Sequence, residues 1–186
     1  MSESKKNFLT EAEIDAFLKA SKTTRHKVRD YCMAIMAYRH GLRVSELVNI
    51  RLEEIDLDGA RLFVCRKKGS LSTHQPIEGD ELRAIRSWLR ERSALVDAHA
   101  TWLFLSERKG QMTRQAVNYI FAEIGKKAGL SFQVYPHMLR HSCGFALANK
   151  GLDTRLIQDL LGHKNIQHTV KYTQTNSKRF EGLWRK

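Results

Sequence analysis

Residues 61–77 read Arg61-Leu62-Phe63-Val64-Cys65-Arg66-Lys67-Lys68-Gly69-Ser70-Leu71-Ser72-Thr73-His74-Gln75-Pro76-Ile77, and they interrupt the pattern on either side. Arg61 to Lys67 has the composition of a strand, Lys68-Gly69-Ser70 supplies a turn, and Ser72 to Ile77 reads as the returning strand. Glu54 to Leu57 is a candidate third strand. Everywhere else apolar residues recur at helical spacing. The expected fold is therefore mainly α, with one small three-stranded antiparallel sheet.

Working outward, Thr10-Glu11-Ala12-Glu13 has capping-box form and precedes the apolar stripe Ile14, Phe17 and Leu18. A second helix is expected over about residues 25–39, with Tyr31, Met33, Ile35, Met36 and Tyr38 largely inside. Gly41 ends it, and a short helix follows over 44–50. Downstream, helices are expected over 81–92, 114–128, 136–150 and 154–161. Pro136 suits a first helical turn and Asp153 an N-cap. No repeat, low-complexity tract or linker divides the sequence, so residues 1–186 read as a single domain.

The chain is long enough to bury a core without staples. No apolar run approaches the roughly 20 residues needed to cross a bilayer, and the first residues lack the apolar segment of a secretion signal. A cytoplasmic protein without membrane partners is expected. Cys32, Cys65 and Cys143 are scattered and odd in number, which supports neither a disulfide framework nor a cysteine zinc site. The 32 Lys and Arg against 20 Asp and Glu give a net charge of +12. An excess of that size favours a polyanionic partner, because neutralising phosphates releases counterions.

Chemistry at a phosphodiester needs fixed positive charge on the non-bridging oxygens, a nucleophile in line, and an acid for the leaving oxygen. Four segments offer such groups. In Gly41-Leu42-Arg43-Val44-Ser45-Glu46-Leu47, Arg43 follows a glycine turn at a helix start, and Glu46 is spaced to orient its guanidinium. On the hairpin, Lys67 or Lys68 sits at a turn from which an ammonium could reach a departing oxygen. His137-Met138-Leu139-Arg140-His141 places two histidines and an arginine on one helical face. It has zinc-protease HxxxH spacing but no Glu after the first His, so metal hydrolysis is not expected. Finally, Leu161-Gly162-His163 precedes Tyr172, whose phenol needs neighbouring cations or a histidine to act as a nucleophile. Each segment alone has an ordinary structural reading.

Together, in this order, the four segments resemble the catalytic domain of the tyrosine recombinase (phage integrase) family. Pro76, eight residues after Lys68, matches a proline common in that family's hairpin and selects Lys68 over Lys67. The stretches His141–Asn149 and Asp153–Asp159, and the shortness of the chain, look most like the small invertases that switch fimbrial promoters in enterobacteria. The resemblance implies that Tyr172 is the nucleophile, Arg43 and Arg140 clamp the phosphate, and His163 adds a donor. It further implies Lys68 as general acid and His137 as proton acceptor for Tyr172, with Glu46 and His141 in support. No cofactor or metal is implied.

The implied partners are double-stranded DNA carrying inverted-repeat sites, a homotetramer assembled on it, and accessory DNA-bending proteins at the nucleoid. Most of the family carries an N-terminal core-binding domain, which this chain is expected to lack. The tail over 173–186, with Phe180, Leu183 and Trp184, reads either as packing on its own domain or as docking into a neighbouring subunit. An integrase or excisionase of a mobile element, a type IB topoisomerase-like enzyme and a non-catalytic DNA-binding regulator are the alternatives.

Overall fold

The computed structural model describes residues 6–66, 70–95 and 100–174. Among them the order is α1 (Glu11–Ser21), α2 (Lys27–Arg39), α3 (Val44–Asn49), β1 (Ile55–Asp56), β2 (Arg61–Val64), β3 (Thr73–Pro76), α4 (Gly79–Ser93), α5 (Arg114–Lys127), α6 (Pro136–Asn149), α7 (Thr154–Leu161) and α8 (Gln167–Gln174). The mainly helical fold with one small antiparallel sheet is as expected. Helix α8 is an addition to the helices expected from the sequence. None of the described helices is long and apolar enough to cross a membrane.

The core forms around α2, whose residues Cys32 to Ala37 are all buried. A helix buried on every side must be apolar all round, and α2 packs against α1, α4 and α6. The capping box of α1 is formed: the Thr10 backbone N–H donates to Glu13 at 2.8 Å, and the Glu13 N–H donates to Thr10 Oγ1 at 3.3 Å. The sheet runs β1-β2-β3, with Ile55 opposite Leu62 and Val64 opposite Thr73. Alternation along β2 and just beyond turns Leu62, Val64 and Arg66 inward. Lys67, Lys68 and Gly69 of the hairpin lie outside the described residues, as does the tail from 175 onward.

Pro136 opens α6, and Asp153 caps α7 by accepting the N–H groups of Arg155 and Leu156 at 2.8 and 3.0 Å. Asn165 Oδ1 accepts the Gln167 N–H at 2.9 Å where α8 begins. A second apolar cluster of Cys143, Ala148, Ile157, Leu161 and Tyr172 joins α6, α7 and α8 beside the main core. Its members fix where Tyr172 lies. The three cysteines are free thiols, with Cys32 and Cys143 buried and Cys65 exposed.

Candidate active site

The site begins where α2 stops. Gly41 adopts φ +54°, and a Cβ there would collide with the Leu161 side chain. Glycine is thus required both for the left-handed turn and for the close approach of α7. The turn buries Leu42 and delivers Arg43 to the N-cap of α3. There the Arg43 backbone N–H donates to Glu46 Oε2 at 2.8 Å and its guanidinium Nη1 donates to Oε1 at 2.7 Å. The Arg43 side chain stays 37% exposed, so it is held yet reachable.

Glu46 is buried and serves more than Arg43. Arg66 Nη1 donates to its Oε2 at 2.6 Å, and Arg140 Nη1 lies 3.9 Å from the same oxygen. Three guanidinium groups therefore share one carboxylate. Arg140 is 1% exposed and makes its own bonds to main-chain carbonyls, Gly41 at 2.5 Å and Leu161 at 2.7 Å. Burial, with Arg43 and Arg66 nearby, pulls its pKa down to about 10, against the opposing pull of Glu46. It remains charged at neutral pH.

The last turn of α7 supplies the matching negative end. Its free carbonyls are the groups that every helix leaves unpaired. Leu160 O accepts from both Arg66 Nη2 at 2.6 Å and Gln75 Nε2 at 2.9 Å. Gly162 then closes the helix with φ +63°, and His163 follows. His163 Nδ1 lies 2.8 Å from Thr169 Oγ1, and its ring lies nearly parallel to that of Tyr172, centroids 6.3 Å apart.

Tyr172 is 1% exposed, on the face of α8 that covers α6. Its ring lies on Gly144, where a Cβ would come within 2.7 Å of Cε2 and Cζ. The hydroxyl sits 2.8 Å from His141 Nδ1. Burial pushes the phenol up to about 12, although Arg140 pulls the other way. Burial first, then Lys171, His137 and Arg140, hold His141 down to about 3. Burial, Arg140 and Arg43 hold His163 down to about 3 as well. Both imidazoles are therefore neutral at physiological pH, and a neutral His141 with its proton on Nε2 accepts the phenolic proton in a hydrogen bond.

Arg43, Arg140, His163, Tyr172, Glu46 and His141 thus come together. His137 is exposed on the first turn of α6, edge-on to His141 with centroids 4.4 Å apart. The phenol's partner is His141 one turn further on, not His137, because His141 faces α8. Two contributors escaped the sequence reading. Arg66 looked like one more basic residue of a hairpin, although the period-two pattern Leu62, Val64, Arg66 marks it as inward. Lys171, whose Nζ lies 5.1 Å from the Tyr172 ring centre, carried no signal of its own.

A buried phenol beside two histidines and Arg140, with Arg140 and Arg43 sharing Glu46, fits the catalytic domain of a tyrosine recombinase. The chain belongs to the phage integrase family, whose model matches residues 7–179. The type 1 fimbriae regulatory protein FimB of Escherichia coli strain K12 is 47% identical over 180 residues, covering 97% of this chain and 90% of that protein. FimE of the same strain is 44% identical over 182 residues, covering 97% and 92%. The crystal structure of XerA recombinase has a TM-score of 0.82 at 28% identity, covering 92% of this chain and 61% of that one. The chain thus spans about three-fifths of that solved relative.

Proposed function

We propose that this protein breaks and rejoins DNA at specific sites through Tyr172, inverting a promoter element that controls fimbrial genes. The observation that carries the chemistry is the placement of Tyr172 against His141 and His163, with Arg140, which shares Glu46 with Arg43, close enough to act on its phenol. The fimbrial assignment is supported by 44–47% identity to FimB and FimE over nearly the full chain. DNA as partner is supported by the net charge of +12. The fold is shared with a Tn1549 transposon integrase solved in complex with circular intermediate DNA, at TM-score 0.79 and 24% identity.

In this reading Arg43 and Arg140 hold the non-bridging oxygens of the scissile phosphate, with His163 as a further donor. The Tyr172 oxygen attacks phosphorus, the bond to the 5′ oxygen breaks, and Lys68 protonates that departing oxygen to give the 5′-hydroxyl. The phenolic proton passes to the His141–His137 pair. Burial and then nearby cations depress those imidazoles, and an arriving phosphodiester offsets the cationic share, which makes them better bases. The 3′-phosphotyrosyl ester keeps the bond energy, so a partner strand's 5′-hydroxyl can reverse the step. The working unit is a homotetramer on inverted-repeat DNA in the cytoplasm, helped by DNA-bending proteins.

A nicked suicide DNA substrate tests this reading. Wild-type protein should form a denaturation-resistant adduct, and Tyr172→Phe should form none while keeping its melting temperature. Adduct formation by Tyr172→Phe at the wild-type rate would reject the assignment.

A further inference from the structure

The chemistry above gives no task to Arg66, yet this is the most enclosed charge of the cluster, with a side chain 0% exposed. Burying a guanidinium is costly unless its geometry is well used. Its fork is divided between two different elements, Glu46 Oε2 on α3 and Leu160 O at the end of α7, each at 2.6 Å. Its own backbone N–H donates to Ser72 Oγ at 3.0 Å, which ties the two legs of the hairpin together. Its Nε is buried without a hydrogen-bond partner among the described residues, so the side chain is held by where the fork must reach. A Cβ at Gly162 would come within 2.5 Å of Arg66 Cδ and 2.7 Å of Nε. The glycine before His163 is therefore also the space that Arg66 fills.

From these contacts we propose that Arg66 is a positioning residue that locks Glu46 and the end of α7 in one register. Arg43 then takes its direction from Glu46, Arg140 takes its direction from Leu161 O, and both guanidinium groups address the same phosphate oxygens. Arg66 itself has no access to DNA. This inference rests on the recombinase reading.

The role predicts a dependence on phosphate charge that plain structural support would not give. A methylphosphonate at the scissile position is neutral and has lost a non-bridging oxygen, so it gains less from a well-aligned arginine pair. Arg66→Met removes the fork. Arg66→Lys keeps the charge but cannot span both acceptors, and it serves if the Met variant fails to fold. Single-turnover release of the 5′-hydroxyl strand is measured on matched phosphodiester and methylphosphonate suicide substrates, with melting temperatures alongside. Both variants should slow cleavage of the phosphodiester about 30-fold or more, but slow the methylphosphonate no more than about 3-fold. Equal slowing on the two substrates, or no slowing on either, overturns the role. Failure of the wild-type protein to form an adduct would instead overturn the recombinase reading.

Discussion

The phenolic oxygen of Tyr172 lies 2.8 Å from Nδ1 of His141, inside an aromatic and apolar cluster rather than in an open cleft. The resting phenol is therefore protonated and already occupied. Its hydrogen bond is local, from α8 to α6, so the hydroxyl can exchange one acceptor for another without rebuilding the fold.

The hydroxyl should titrate late. The ultraviolet tyrosinate signal of wild-type protein minus that of Tyr172→Phe should rise with a midpoint of about 12. A midpoint near the ordinary 10 would mean that the phenol is solvated in the free protein.

Gly144→Ala should displace the tyrosine ring, because the new methyl would meet three ring atoms at 2.7–2.8 Å. Overpacking of this kind costs about 1–3 kcal/mol. The adduct rate should fall by about tenfold or more, a large effect for an added methyl. Chemical denaturation and the suicide substrate measure the two effects separately; an unchanged adduct rate would show that the ring does not need this bed.

Acid should destabilise the protein in a defined window. His141 and His163 take up protons near 6.5 when unfolded but only near 3 when folded. The unfolded chain thus binds more protons between those values, and stability must fall as pH drops from about 6.5 toward 3. Urea midpoints between pH 7 and pH 4 should decline less steeply for His141→Asn than for wild type. Parallel declines would remove His141 as a source of the effect.

Glu46→Ala should be among the most destabilising single changes at the site. It leaves Arg43 and Arg66 without their shared carboxylate, and breaking a buried ion pair costs about 3–5 kcal/mol. Glu46→Gln keeps the acceptor oxygen and should cost less. Urea unfolding of the two variants provides the check, and equal losses would point to packing rather than charge.

Much of this arrangement was legible from local chemistry. Thr10-Glu13, Pro136 and Asp153 act at helix starts through their nearest neighbours, so sequence spacing suffices to find them. Helix α8 was not legible, because Gln167-His168-Thr169-Val170-Lys171-Tyr172 is short, polar and partly β-branched. Its stability comes from Thr169, Tyr172 and Thr173 packing on α6 and α7, contacts that no local pattern encodes. The choice between His137 and His141 was illegible for the same reason. Both share a face of α6, and only the position of α8 decides which one meets the phenol.

The carbonyls of Leu160 and Leu161 hold Arg66, Gln75 and Arg140 through main-chain atoms alone. Such acceptors are blind to side-chain identity, so the half-buried position 160 is free to drift in evolution without disturbing the guanidinium groups. Chain length is another matter. Deleting one residue within α7 would swing both oxygens by about 100° around the helix axis. Homologues should accordingly vary at position 160 while keeping the residue count of the segment.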